Sequence, residues 1–163
     1  MSETELIVER ATPEDFMAIA SLDRVAWLRN AQGDFIPDGE HAWRHWCEHA
    51  VTVVARQGPQ LAGCALAFPC AEPPNTFCLH KIMVREDMRG QGIGSRLMHR
   101  VLTECDRRGV EVFLTVDPAN SAAVRLYTKW GFTERKFVAG YYRPTEDRLV
   151  LTRRQGGKPC TST

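Results

Sequence analysis

Val84-Arg85-Glu86-Asp87-Met88-Arg89-Gly90-Gln91-Gly92-Ile93-Gly94-Ser95 is the stretch on which the fold turns. An apolar run, Leu79 to Val84, ends there in a charged turn, and a helix pattern begins. Gly90, Gly92 and Gly94 alternate with other residues where that helix opens. Glycine has no Cβ, so backbone N–H groups can converge on one point. A helix N-terminus adds unpaired N–H groups and about half a positive charge. Strand, glycine-rich turn and helix together make a nest for a phosphate or diphosphate.

The strand leading into this turn, Thr76 to Val84, carries apolar residues on both faces, which predicts a central position in a sheet. The helix leaving it runs to about Arg108 on a stripe of Ile93, Leu97, Val101, Leu102 and Cys105, and Gly109 stops it. Val110 to Val116 follows as a buried strand, then a helix capped by Asn120 and ended by Gly131. Phe132 to Phe137 and Arg148 to Leu151 are the last strands.

Upstream, Leu6 to Ala11 alternates as a strand, and Thr12-Pro13-Glu14-Asp15 opens a helix to about Leu28. Phe16, Ile19, Ala20 and Val25 are its inward candidates. Gly33 to Gly39 reads as a loop, and Glu40 to Ala50 as a second helix. Val51 to Arg56 and Leu61 to Phe68 form a hairpin about Gln57-Gly58-Pro59. The order β α α β β β α β α β β implies a mixed α+β sheet with helices packed on it.

With 163 residues, 44% of them hydrophobic, the chain can bury a core. We expect one domain over residues 1–152 and a mobile tail over 153–163. A net charge of +1 gives no global field to attract nucleic acid or a membrane surface. No run approaches the roughly 18 apolar residues of a membrane span, and the acidic N-terminus lacks a signal peptide's apolar core. Cysteines 47, 64, 70, 78, 105 and 160 form no CxxC pair. They read as buried thiols in a reducing compartment, which points to the cytoplasm.

The glycine turn has rivals. Gly90, Gly92 and Glu111 fit a dinucleotide-binding fingerprint, but its third glycine is Ser95 here and only one strand–helix unit follows. A P-loop is excluded, because no Gly-Lys-Ser/Thr stands at the required spacing. A plain turn does not need three glycines beside two arginines.

Arg89-x-x-Gly92-x-Gly94 resembles the Arg/Gln-x-x-Gly-x-Gly/Ala signature of the GNAT acyltransferases. A second block, Asn120-Ser-Ala-Ala123-Val-Arg-Leu126-Tyr127-Thr-Lys129-Trp-Gly131-Phe132, is similar to that family's Asn-x-x-Ala-x-x-Leu-Tyr-x-x-x-Gly-Phe segment, one strand later as the family order requires. The resemblance implies a mostly antiparallel sheet of about seven strands flanked by about four helices. It also implies acetyl-CoA as co-substrate, its diphosphate held by Arg89, Gly90, Gln91, Gly92, Ile93, Gly94 and Ser95. Met83 and Val84 would pair with the pantetheine arm, one backbone N–H there serving as oxyanion donor.

Tyr127 lies on an inward stripe with Ala123, Leu126 and Trp130, and by periodicity alone reads as core. The resemblance makes it the general acid for the departing thiolate. Asn120 is an N-cap by its own chemistry, and a contact to the coenzyme arm by resemblance. Lys129 reads as a solvated helix-end lysine or a partner of a coenzyme phosphate. For the base, His80 shares a strand face with Cys78, Ile82 and Val84, and imidazole titrates near neutral pH. Serotonin N-acetyltransferases carry a histidine at a matching distance before the loop. A core histidine is the plainer reading, and Lys81 is expected on the opposite face in a structural role.

Gly140-Tyr141-Tyr142 with Glu146-Asp147 resembles a segment of ribosomal-protein N-terminal acetyltransferases, which implies that Tyr141 and Tyr142 line an acceptor groove. That subfamily's glutamate base is replaced by Thr115. Trp27 falls where acceptor sites of the family form, although tryptophan at helical spacing is more often core. His41, His45 and His49 recur every four residues, but interleaved Trp and Arg make a solvated face the better reading, and no metal is expected. The function implied is direct acetyl transfer from acetyl-CoA to a primary amine, by a monomer or homodimer. A non-catalytic acyl-CoA-binding module is the alternative. The acceptor is open at this point.

Overall fold

A computed structural model describes residues 5–29 and 37–157. Most of the expected Gly33–Gly39 loop, Cys160 and the end of the tail lie outside the described residues. The strands are β1 Leu6–Arg10, β2 Val51–Gln57, β3 Gln60–Pro69, β4 Thr76–Val84, β5 Glu111–Val116, β6 Glu134–Val138 and β7 Arg148–Arg153. The helices are α1 Phe16–Arg29, α2 Glu40–His49, α3 Ile93–Arg107 and α4 Ser121–Lys129. Among the described residues, hydrogen bonds order the seven strands β1-β2-β3-β4-β5-β7-β6, which puts β4 in the middle, as expected from the apolar residues on both its faces. The pairs β1–β2, β2–β3, β5–β7 and β6–β7 are antiparallel, and β4–β5 is parallel from Thr76 opposite Glu111 to Cys78 opposite Phe113.

The chain divides into two compact units, Met1–Phe68 with His80–Glu104, and Pro69–Leu79 with Cys105–Thr163. In the first, β2 and β3 are buried on both faces from Val51 to Ala55 and from Ala62 to Ala67. Gly58 turns the chain between them at φ 58° in a two-residue loop, the glycine-led turn that matches strand twist. The core gathers Ile19, Ala20, Trp43, Cys47, Val54, Leu66 and Met83. Trp43 is fully buried there. Thr52 is buried within this layer and its hydroxyl donates to Trp46 O at 2.7 Å, which satisfies the polar group. Val25, expected to face inward, is half exposed. Its helix is apolar on several sides, so periodicity could not select one.

One contact inside this unit locates β4. A Cβ on Gly63 of β3 would lie 2.7 Å from Met83 O and 3.0 Å from Leu97 Cδ1. Both limits are below ordinary carbon contacts, and the first neighbour is backbone. Gly63→Ala is therefore expected to lower the melting temperature by about 2–12 °C, since overpacking costs about 1–3 kcal/mol and each kcal/mol shifts a chain of this size by about 2–4 °C. Calorimetry checks this, and an unchanged melting point would refute the contact.

In the second unit Val112, Leu114, Phe132 and Leu151 are buried. β7 runs on through Thr152 and Arg153, past the strand end read from sequence at Leu151. Arg153 is buried and anchored, with Nη1 and Nη2 donating to Asp106 at 2.6 and 2.9 Å and Nε to Trp130 O at 3.1 Å. No helix among the described residues is long and apolar enough to cross a membrane.

Candidate active site

The first unit carries the cradle. Gly90 and Gly92 stand at φ 79° and 74°, the left-handed region that side chains disfavour. No atom lies within 4 Å of where a Cβ would stand on either residue. Gly92 O accepts from Arg96 N at 3.1 Å, so Gly92 caps α3, and the N–H groups of Ile93, Gly94 and Ser95 precede the helical hydrogen bonds. A Cβ on Gly94 would meet only Val84 Cγ2, at 3.8 Å. Gln91 and Ser95 are exposed, and the Ile93 side chain is core, so Ile93 has only its backbone to offer. Open space before a glycine-led helix N-terminus fits a diphosphate. Val84 and Arg89 line a cavity of about 760 Å³ together with Ala18, Ser21, Leu22 and Val25 of α1.

β4 also delivers His80 and Lys81. His80 is not a core histidine, because its side chain keeps a third of its surface. Its Nε2 lies 3.0 Å from Asp38 Oδ2, and its ring centroid lies 5.5 Å from Trp46 and 5.4 Å from Phe68. Lys81 does not part company with His80 as strand alternation suggested. Its Nζ donates to the same Asp38 oxygen and, at 2.7 and 2.9 Å, to both oxygens of Asp23. The long, flexible lysine stem allows this convergence. Trp27 stands beside them, with the Lys81 ammonium 5.4 Å from its ring centre. Trp27, Asp23, Lys81 and Met83 line a pocket of about 150 Å³.

The second unit carries Tyr127, and its position follows from how α4 ends. Phe132 N donates to Tyr127 O at 3.1 Å and Gly131 N to Thr128 O at 3.0 Å, with Gly131 at φ 92°. This is the Schellman termination, which brings the residue after the glycine onto the last turn. Phe132 accordingly packs edge-on to Tyr127, ring centres 5.9 Å apart. Burial pushes the Tyr127 phenol above its ordinary pKa of 10.0, so it holds its proton at neutral pH. At the other end of α4, Asn120 Oδ1 accepts from Ala123 N at 3.0 Å, the expected cap. Its Nδ2 carries two further donors. Lys129 is exposed in the last turn of α4.

Tyr141 and Tyr142 are exposed and meet edge-to-face, with centres 4.7 Å apart. The Tyr142 hydroxyl lies 2.8 Å from Thr115 Oγ1, so the residue standing in place of the subfamily glutamate is a hydrogen-bond partner of a candidate groove residue. His45 and His49 are exposed and stack at 6.2 Å, as a solvated face would.

The cysteines among the described residues are free thiols, but two of them are less buried than expected: Cys70 and Cys78 are half-buried, whereas Cys47, Cys64 and Cys105 are buried. Burial, assisted by Asp15, pushes the Cys47 thiol up to about 11. Burial, assisted by Cys70, pushes Cys78 up to about 12. The nucleophilic form is the thiolate, which at pH 8 would be about one part in a thousand for Cys47 and one in ten thousand for Cys78. Brief alkylation of the native protein at pH 8, followed by peptide mass analysis, is expected to leave both unlabelled. Rapid labelling of either would overturn this.

Residues 16–132 match the model of the Acetyltransferase (GNAT) family, and the chain belongs to that family. N-alpha-acetyltransferase RimI of Mycobacterium tuberculosis is 35% identical over 112 residues, 68% of this chain and 70% of that protein. The ribosomal protein bS18 alanine N-acetyltransferase of Escherichia coli is 37% identical over 71 residues, 43% of this chain. That match spans about half of the relative's length, 48%. The crystal structure of the ribosomal-protein-S18-alanine N-acetyltransferase from Escherichia coli superposes with a TM-score of 0.73 over 98% of this chain and 99% of that one. At 21% identity this bears on the fold.

Asp23, Asp38 and Gly63 have no motif in the sequence that marks them. Asp23 lies within an apolar helix and Asp38 within a loop, and their partners are 15 to 58 residues away.

Proposed function

We propose that this chain moves the acetyl group of acetyl-CoA directly to a primary amine. The observation that carries the reading is the start of α3, where two left-handed glycines with open space before them lead into unpaired helix N–H groups in a chain of the GNAT family. Arg89 and the backbone of Gly90 to Ser95 would hold the coenzyme diphosphate, with Arg89 adding a charge-assisted contact. Met83 and Val84 would offer backbone to the pantetheine arm, and one N–H there would face the developing oxyanion. Asn120 Nδ2 would donate to the same arm, and Lys129 would face a coenzyme phosphate. The coenzyme supplies an acyl group activated as a thioester.

The remaining work is proton movement. An alkyl amine is protonated at neutral pH, with a pKa around 10. His80 takes that proton directly or through water, and Tyr127 gives its phenolic proton to the leaving thiolate. No sequence motif places a cysteine as nucleophile, which favours direct attack over an acyl-cysteine.

The acceptor placed first is the α-amine of a peptide, with Trp27, Tyr141 and Tyr142 as its contacts. Its support is the pair of relatives named as an N-alpha-acetyltransferase and as a ribosomal-protein alanine N-acetyltransferase. An α-amine has a pKa near 8, so it asks less of the base than a lysine does. A cytoplasmic location and a monomeric or homodimeric state belong to the same proposal. The test is thiol release from acetyl-CoA against peptides with free or blocked N-termini, lysine peptides, polyamines and amino acids. Release with free N-termini alone is expected. No release with any amine would end the catalytic reading.

A further inference from the structure

The first unit builds a support around His80 that sequence patterns do not reveal. Asp38 accepts at Oδ2 from two neighbours on β4, His80 Nε2 at 3.0 Å and the Lys81 ammonium. Asp38 is itself held at a second atom. Its backbone N–H donates to Asp23 Oδ2 at 2.9 Å. Asp23 is 1% exposed, and the same oxygen takes the Trp43 indole N–H at 3.1 Å. Lys81 closes the ring by bonding both Asp23 oxygens. Trp46 and Phe68 pack on the imidazole from α2 and β3, which restrains its rotation.

An ionised carboxylate only accepts hydrogen bonds. Facing Asp38, Nε2 of a neutral His80 must carry the ring proton, and Nδ1 keeps the lone pair. Burial pushes the Asp38 carboxyl up, but hydrogen bonds from His80 and Lys81 outweigh it and hold the group below its ordinary 3.8. Asp38 thus stays ionised across the neutral range. A carboxylate that orients an imidazole and stabilises its protonated form is the third member of a nucleophile–base–orienter chain.

We propose that Asp38 is a positioning residue: it holds His80 with the proton on Nε2 and Nδ1 as the atom that receives the acceptor's proton, while Lys81 and Asp23 hold Asp38 in register. The proposal rests on the reading of His80 as base. The proton leaves the acceptor's ammonium and forms an N–H bond at Nδ1. The imidazolium then donates from Nε2 to Asp38 in a charge-assisted bond, and returns the Nδ1 proton to water.

Two measurements test it. In uniformly 15N-labelled protein above the titration range of histidine, long-range proton–nitrogen correlation spectra should show the His80 Nε2 protonated and exchanging slowly with water. His80 is assigned among the five histidines by the signal lost in His80→Gln. Asp38→Ala and the milder Asp38→Asn should restore fast exchange while both variants melt cooperatively. A water-exchanging Nε2 proton in the wild type, or protection that survives Asp38→Ala, would overturn the proposal. In turnover with the acceptor returned by the amine screen, Asp38→Ala should lower kcat about tenfold or more and leave the acetyl-CoA KM within threefold. The same substitution in the His80→Gln background should add less than twofold, because its effect passes through His80. Equal losses in both backgrounds would make Asp38 merely structural and overturn the proposal with the base reading intact. Wild-type turnover in His80→Gln would overturn the base reading itself, and the proposal with it.

Discussion

Replacing Tyr127 by phenylalanine is expected to lower turnover about 100-fold or more at saturating acceptor, the scale of a lost general acid. The acetyl-CoA KM should change by less than about threefold, because the interaction removed is made only as the thiolate departs. Phenylalanine keeps the edge-on contact with Phe132 and the two backbone bonds that end α4, so the melting temperature should hold. The pH profile adds a signed expectation. Burial raises the phenol's pKa above 10.0, so Tyr127 loses its proton only beyond that value. The falling limb of kcat/KM due to this group should therefore have its midpoint above pH 10. Unchanged turnover in the variant, or a falling limb near pH 8 that the variant abolishes, would contradict the assignment.

The cradle carries the second large effect. Gly90→Ala combined with Gly92→Ala forces two residues with side chains into left-handed backbone, at about 1–2 kcal/mol each. Nothing surrounds either position, so the strain can be relieved in the free protein by letting the turn relax. A bound diphosphate would require the strained form back. The cost therefore falls on binding, and the coenzyme A dissociation constant measured by titration calorimetry should rise about 30- to 1,000-fold. The melting temperature without ligand should move by only a few degrees. Equal affinity in the variant would show that the diphosphate does not use this turn.

Why these two features were readable while others were not is a matter of range. β4, the cradle and the two ends of α4 are written in consecutive residues: an apolar run, glycines that allow positive φ, an asparagine cap and a stopping glycine. Their bounds came out nearly as observed. The start of β6 did not. Phe132 reads as strand by its β-propensity, but the end of α4 claims it, and the strand begins at Glu134. The Asp23–Lys81–Asp38–His80 set was illegible because its members meet only in the folded chain. Strand alternation separated Lys81 from His80, yet a shared carboxylate brings them to one point. Arg153 is a related case: it falls in the expected mobile tail over 153–163, yet Asp106 and the Trp130 carbonyl, distant in sequence, anchor it.

The contact between Gly63 and Met83 bears on how such a protein can change over generations. Position 63 itself has no part in the proposed chemistry. Its missing side chain nonetheless sets where the Met83 carbonyl can rest. Substitutions on β3 are thereby coupled to a backbone segment one strand away. A library varied only at the cradle and the tyrosines would miss that coupling, and a drifting lineage that altered Gly63 would lose stability unless the backbone at Met83 or the Leu97 side chain gave way.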